Sequence, residues 1–209
     1  MLESKQFKPC FYMQIEADVT EMMGMRTILK RELKLRITAN TFFVRAIGMA
    51  AEQYPLMIAS IEGDNLVIPH SVNVGFAVAA PQGLVVPVIR HANRISLAQI
   101  GECEKKLTDR ARSNKLTLYD IENECIATSN LAAYDIDSFI GIVPPNVSSI
   151  LTIGNVHDKM VVSGKHFEVR RMSTLAMAVD HRVVNGDYAA RFLYRVKELI
   201  ESPQLVQND

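Results

Sequence analysis

Net charge is the first thing this sequence lacks. Lys plus Arg and Asp plus Glu balance at 23 each over 209 residues, so no overall field draws the chain to nucleic acid or to an anionic membrane. Cysteine is scarce. Cys10, Cys103 and Cys125 are odd in number and form no C-x-x-C pair, which excludes a disulfide framework and a zinc site and predicts three reduced, mostly buried thiols. No apolar run approaches the ~18 residues of a membrane span, and the opening MLESKQFKPC has no apolar core of a secretory signal. These absences describe a soluble intracellular protein, cytoplasmic or, if eukaryotic and processed, of the mitochondrial matrix. His70, His91, His157 and His166 have no ligand-like spacing, so no metal is expected, and no Gly-rich phosphate loop occurs. Internal repeats, low-complexity tracts and Pro/Ser-rich linkers are missing as well, and 48% hydrophobic content suffices for a full core, so residues 1–209 are expected to form one domain with its core at 9–203.

What is present reads as alternating strands and amphipathic helices. Residues 9–17 form a predicted strand, and Val19 to Lys34 a helix with Asp18 or Thr20 near its cap. A helix from about Asn40 to Gln53 must stop before Tyr54-Pro55, because the residue preceding proline avoids helical geometry. Leu66–Ile68, Val72–Ala79 and Leu84–Arg90 are β-branched runs, the last two joined by a turn at Pro81-Gln82-Gly83. Ser96 caps a helix to about Arg112 with Leu97, Ile100 and Leu107 on one face. Thr117 starts a short helix, Glu124–Ser129 and Val147–Val156 are strands, and a hairpin turns at Ser163-Gly164-Lys165.

The most informative stretch is Ser173 to Leu193, STLAMAVDHRVVNGDYAARFL. Alternation puts Met177 and Val179 on one side of a strand and Ala176, Ala178 and Asp180 on the other, and the strand delivers His181 at its end. Asn185-Gly186 then opens a helix whose Tyr188, Phe192, Val196 and Leu199 recur at helical spacing. The imidazole is thereby fixed on a rigid element. An imidazole ordinarily titrates near ~6.5, is mostly neutral at pH 7 and can take the proton of a thiol, whose ordinary pKa of ~8.5 leaves little thiolate.

His181-Arg182-Val183-Val184-Asn185-Gly186 resembles the His-x-x-x-Asp-Gly signature of CoA-dependent acyltransferases, a group that includes chloramphenicol acetyltransferase. Asp180-His181-Arg182 followed by AARFL at 189–193 is similar to the dihydrolipoamide acyltransferases of 2-oxo acid dehydrogenase complexes. Chloramphenicol acetyltransferases usually read His-His where this chain has Asp180-His181. SVNVGFAVA at 71–79 and PQGLVVPVIR at 81–90 resemble paired strands of the family, and Ser129-Asn130-Leu131, Asp137-Ser138-Phe139 and Pro144-Pro145 fall in its order. The likeness runs from about Pro9 to Pro203.

The resemblance implies an α/β two-layer sandwich of the chloramphenicol-acetyltransferase-like type, a mixed β-sheet with helices. It implies transfer of an acyl group, acetyl or branched-chain acyl favoured because succinyl-transferring relatives often carry threonine at the place of Ser129, between a dihydrolipoyl thiol and coenzyme A. His181 would be the general base, and the hydroxyl of Ser129 would stabilise charge on the thioester oxygen. Asn185, where aspartate is more frequent, would position neighbouring groups or act solely as a helix cap. Arg26 would brace this region or meet the cofactor, or be a solvated helix residue. The family's active site lies between subunits of a homotrimer, which assembles further, a 24-subunit cube being the larger assembly this resemblance leaves open, by an apolar C-terminal hook for which Leu205-Val206 is the candidate ahead of polar Gln207-Asn208-Asp209. Partners would be a lipoyl domain, which supplies the lipoyl carrier, and the dehydrogenase components. Neither a lipoyl-type lysine loop nor a flexible arm is found ahead of Pro9, leaving an excised core or a protein whose acyl carrier lies elsewhere. Ala132 and Asp135 stand where many relatives have glycine, so the loop after Ser129 is expected to lack glycine's positive φ. Two rivals remain open: a stand-alone CoA-dependent acyltransferase acting on a small-molecule acceptor, and an inactive assembly scaffold.

Overall fold

A computed structural model describes residues 2–207. Its elements in chain order are α1 (Leu2–Phe7), β1 (Cys10–Asp18), α2 (Thr20–Leu33), α3 (Ala39–Gln53), β2 (Ser60–Glu62), β3 (Asn65–Val67), β4 (Val74–Phe76), β5 (Val78–Ala80), β6 (Gly83–Val85), β7 (Val88–Ile89), α4 (Leu97–Arg112), α5 (Leu118–Ile121), β8 (Ile126–Asn130), β9 (Ser149–Ser163), β10 (His166–Asp180), α6 (Gly186–Glu201) and α7 (Gln204–Gln207). Six strands form one mixed sheet in the order β1-β10-β9-β8-β4-β7, with β8 parallel to both β9 and β4 and the other pairs antiparallel. Two-stranded hairpins, β2-β3 and β5-β6, stand beside it.

Helices cover one face of the sheet. Leu175, Met177 and Val179 of β10 join Phe42 and Ile47 of α3 and Phe192, Val196 and Leu199 of α6 in the main core. Burial of each large side chain there contributes roughly 1.5–3 kcal/mol. The opposite face is covered by a strap, residues 137–147, whose Val143 and Val147 pack on Ala127, Ile150 and Ala178. Thr38 caps α3 through a capping box, and Ser96 does the same for α4, so each helix starts where its first free N–H groups find an oxygen. Val19 occupies the α2 cap position with no side-chain bond, while Asp18 Oδ1 accepts from Thr20 N at 2.9 Å.

Several expected elements are redrawn. The runs Val72–Ala79 and Leu84–Arg90 each break in two: Pro87 has no N–H, Phe76 N–H donates to its carbonyl at 2.9 Å, and Ala77 N–H turns to Thr128 O at 2.9 Å. Their outer halves pair with each other as β5-β6. In the other direction, the strands expected at 147–156 and 173–180 are halves of two 15-residue strands. Their continuation runs through mostly exposed residues, where backbone pairing extends the ladder without a burial pattern to announce it. Only Cys125 of the three free thiols is buried; Cys10 and Cys103 are half-exposed at the rim of the core. Val206 is fully buried in the main core of its own chain, leaving Leu205 as the exposed member of the expected hook; Asn208 and Asp209 lie outside the described residues. No helix among the described residues is long and apolar enough to cross a membrane.

The strap is seated by a glycine. A Cβ added at Gly154 of β9 would lie 2.0 Å from the carbonyl oxygen of Asp137. Gly154→Ala is therefore expected to cost roughly 1–3 kcal/mol through overpacking, read as a lowered urea midpoint with unchanged m-value. An unchanged midpoint would show that the strap gives way freely.

Candidate active site

His181 leaves the end of β10 in a turn that its neighbours determine. The Asp180 carbonyl accepts from Val183 N–H at 3.1 Å and Val184 N–H at 3.2 Å, and His181 N–H donates to Pro9 O at 2.9 Å, one step beyond the β1-β10 ladder. The exposed imidazole rests against Phe11, with ring centroids 4.8 Å apart and planes at 58°. Four residues on, Asn185 caps α6 by accepting from Tyr188 N–H at 2.9 Å. Capping is thus established for Asn185, and its side chain is exposed at the same turn.

Two groups to which the sequence assigned no role of their own hold this turn and its surroundings. Asp180, 2% exposed, accepts from Arg182 through Nε at 3.0 Å and Nη2 at 2.6 Å, and from Arg182 N–H at 3.1 Å. Burial pushes its carboxyl up, but these bonds and the charges of Arg182 and Lys8 outweigh burial and hold it below the usual carboxylate range. Lys8 donates all three ammonium protons to strap carbonyls, Pro144 at 2.7 Å, Pro145 at 2.8 Å and Val147 at 2.5 Å. Partial burial lowers its pKa, against the opposing pull of Asp180. Glu124 is a further group that pattern reading missed. Burial pushes its carboxyl up to about 7, its Oε2 has no hydrogen-bond partner among the described residues, and it lines a cavity of about 700 Å³ with Asn73 and Arg90. Its only sequence signal is a charge at the mouth of a buried strand.

Ser129 lies on β8, paired with Thr152 of β9, which in turn pairs with Ala176 of β10. Paired residues share a face, so the Ser129 side chain stands on the strap side, where Thr152 Oγ1 donates to Phe139 O at 2.5 Å. Thr128 stands on the helix side, paired with core Leu151. The loop that follows does reach positive φ, contrary to expectation, because Asp135 itself adopts φ 58°. Asp is among the few residues that tolerate this region, and here its carboxylate accepts from Asn155 Nδ2. Asn130 Oδ1 accepting from Ala132 N–H at 2.9 Å and Asn155 N–H donating to Ile136 O at 2.7 Å complete the path.

The structure does not bring Ser129 and His181 together within one chain. His181 lies five residues beyond Ala176 and two strands across from Ser129, a separation of about 20 Å at standard strand rise and spacing. Arg26 is half-buried on α2 and takes no part in the hydrogen bonds around His181 or in the wall beside Ser129. No cluster of three or more His, Cys, Asp or Glu that could hold a metal occurs among the described residues.

The family of 2-oxoacid dehydrogenases acyltransferase (catalytic domain) matches residues 1–207. The dihydrolipoyllysine-residue acetyltransferase component of the pyruvate dehydrogenase complex of Rickettsia bellii is 32% identical over 99% of this chain and 50% of its own length. The succinyltransferase component of the 2-oxoglutarate dehydrogenase complex of the same organism is 34% identical over 90% of this chain and 48% of its own. The chain spans about half the length of the curated relatives it matches. The dihydrolipoamide acetyltransferase of Azotobacter vinelandii superposes with a TM-score of 0.93 at 30% identity, covering 98% of this chain and 86% of that one. A serine, a histidine and an asparagine have been investigated there for their role in the catalytic mechanism; 52 residues separate the first two and four the last two, the spacing of Ser129, His181 and Asn185. Chloramphenicol acetyltransferase shares the fold at a TM-score of 0.57 and 14% identity, over 95% of this chain and 94% of that one. By the extent of these matches the chain belongs to the 2-oxoacid dehydrogenase acyltransferase (catalytic domain) family.

Proposed function

We propose that this chain transfers an acyl group, acetyl or branched-chain acyl, between a dihydrolipoyl thiol and CoA in the core of a 2-oxo acid dehydrogenase complex. The observation that carries the proposal is the coincidence in residue type and spacing of Ser129, His181 and Asn185 with the triad investigated in the Azotobacter enzyme. The exposure of His181 on a rigid turn supports it. His181 takes the proton from the CoA thiol as sulfur attacks the thioester carbonyl. The Ser129 hydroxyl donates to the oxyanion, the bond to the lipoyl sulfur breaks, and His181 returns the proton to that sulfur. Asn185 keeps α6, and with it the turn, in register.

The separation of about 20 Å within one chain supports a site made by two copies, His181 from one subunit and Ser129 from its neighbour, in the assembly of at least a trimer that the family resemblance implies. Burial of Val206 leaves Leu205 alone to hook a next trimer in a 24-subunit cube. The lipoyl carrier is supplied by another domain or chain, in the cytoplasm or the mitochondrial matrix. The scaffold alternative loses its support in the loop, since Asp135 supplies the positive φ that glycine would have given.

His181→Ala is expected to lower turnover by roughly 10²–10⁴ and Ser129→Ala by about 10²–10³ in a CoA-release assay with dihydrolipoamide. Mixing the two variants under subunit exchange should restore part of the activity; none regained, with exchange demonstrated by mass, would exclude a site shared between chains. Asp180→Asn removes the counter-ion of Arg182 and should cost roughly 1–3 kcal/mol at pH 7. Because the folded-state pKa of Asp180 is depressed, its stabilisation is present above the ordinary carboxylate range and is lost as pH falls through the lower folded value. The difference in melting temperature between wild type and variant should therefore shrink on acidification; a constant difference down to pH ~2 would contradict the pairing.

A further inference from the structure

Glu124 and Lys8 stand on the strap side of the sheet. The Glu124 carboxyl fills, with Val86, the space where Gly75 of β4 has no side chain. Gly75 pairs with Ala127 of β8, and Ala127 belongs to the cluster beneath the strap. The carboxyl therefore shares a sheet face with the carbonyls of Pro144, Pro145 and Val147 that Lys8 holds. There Glu124 Oε2 is shielded from solvent and has no hydrogen-bond partner among the described residues. An ionised carboxylate buried without a partner is among the most costly groups a fold can carry, so this arrangement is that of the neutral acid.

Once ionised, the carboxylate needs a cation. Arg90, in the wall of the same cavity, is committed: its Nη2 donates to the carbonyls of Tyr119 at 2.9 Å and Glu122 at 3.2 Å, and the guanidinium lies over the Tyr119 ring. Glu62 and Glu122 in that wall are exposed acids, and burial pushes the neighbouring Cys125 thiol up to about 11, so none of the three supplies positive charge. Asp180 and Arg182, which also act on Lys8, are paired with each other. That leaves Lys8, whose charge already acts on Glu124 against the effect of burial. An ammonium has three protons, and all three go to strap carbonyls. A carboxylate accepts more strongly than a carbonyl, so ionised Glu124 competes with the strap for a single ammonium. The next residue, Pro9, holds His181 N–H through its carbonyl at 2.9 Å, which carries the outcome to the candidate base. We propose that Lys8 is a latch shared between the strap and Glu124: with the acid neutral it fastens the strap and positions His181, and with the acid ionised it is drawn to Glu124 and frees both. The latch stands apart from the acyltransferase proposal above; only its consequence for turnover rests on that proposal.

Burial raises the Glu124 carboxyl to about 7, which sets the range of the test. The closed arrangement holds the proton more tightly than the open one, so it is favoured at lower pH and lost as pH rises through that value. Hydrogen exchange of the assembled protein is followed at residues 137–147 and at the His181 amide between pH ~6 and ~8, each rate taken relative to the unfolded-chain rate at the same pH. Protection in the wild type should fall about tenfold or more over this range, the effect of one charge-assisted hydrogen bond. Glu124→Gln, which cannot ionise, should keep the high protection throughout, and Lys8→Met should show the low protection throughout. A flat wild type overturns the latch, and so does a pH step that persists in either variant; if the Gln variant does not fold, the Met variant decides by the same criterion. In the CoA-release assay kcat should fall over the same range in the wild type and hold in Glu124→Gln. A kcat that ignores the step in protection overturns the positioning of His181. A wild type that shows the step but transfers no acyl group leaves the latch standing and removes the acyltransferase function, and an active wild type without the step does the reverse.

Discussion

Strand direction governs everything else in this molecule. Because β10 runs antiparallel to β9 and β9 parallel to β8, the carboxyl ends of β10 and β8 point to opposite edges of the sheet. Each of those ends carries a residue with chemistry to offer, His181 at one and Ser129 at the other, and the backbone ladder that separates them is the most extensively paired part of the fold. No side-chain rearrangement closes a gap of about 20 Å held by two rows of hydrogen bonds. A reaction that needs both residues must recruit a second copy, and oligomerisation is then a condition of catalysis rather than an addition to it.

Around that ladder the charged groups serve to fix loops. The chain carries no net charge, yet Lys8, Asp180 and Arg182 concentrate at the turn of His181, and Asp120 meets Arg110 and Thr117 at the foot of α4. Lys8 ties the strap to the segment preceding β1, and the adjacent Pro9 carbonyl holds His181 N–H. The N-terminal segment thus anchors both the covering of the second sheet face and the backbone of the candidate base. Removing a partner from such a cluster leaves a partly buried charge exposed to desolvation, which is why these few contacts outweigh the exposed helix pairs Lys105–Asp109 and Arg191–Asp187.

The loop after Ser129 illustrates how a local departure is absorbed. Losing glycine at the turn imposes a strain on Asp135, but its carboxylate gains Asn155 and the backbone keeps its path. At Gly154, one strand away, glycine is required for a different reason, contact with the Asp137 carbonyl rather than conformation.

Much of the fold and of the candidate site was legible in the chain itself. The alternation of Leu175, Met177 and Val179, the capping signals at Ser96 and Asn185 and the period of Phe192, Val196 and Leu199 are local signals, written in side chains that face a core or a helix end. His181 at the strand end followed from them, and Ser129 and Asn185 from likeness to a family. Lys8 and Glu124 stayed unmarked and Asp180 was named only within a signature, because the Lys8 partners lie up to 139 residues away and the burial of Asp180 and Glu124 is set by segments distant in sequence, which no local pattern encodes. The splitting of Val72–Ala79, the outer halves of β9 and β10 and the inward turn of Val206 were likewise decided by pairing and packing among distant segments. Residue type and spacing determined which candidate residues the chain offers for that chemistry. Strand direction, a property only of the assembled sheet, decided that one chain alone cannot bring that chemistry together.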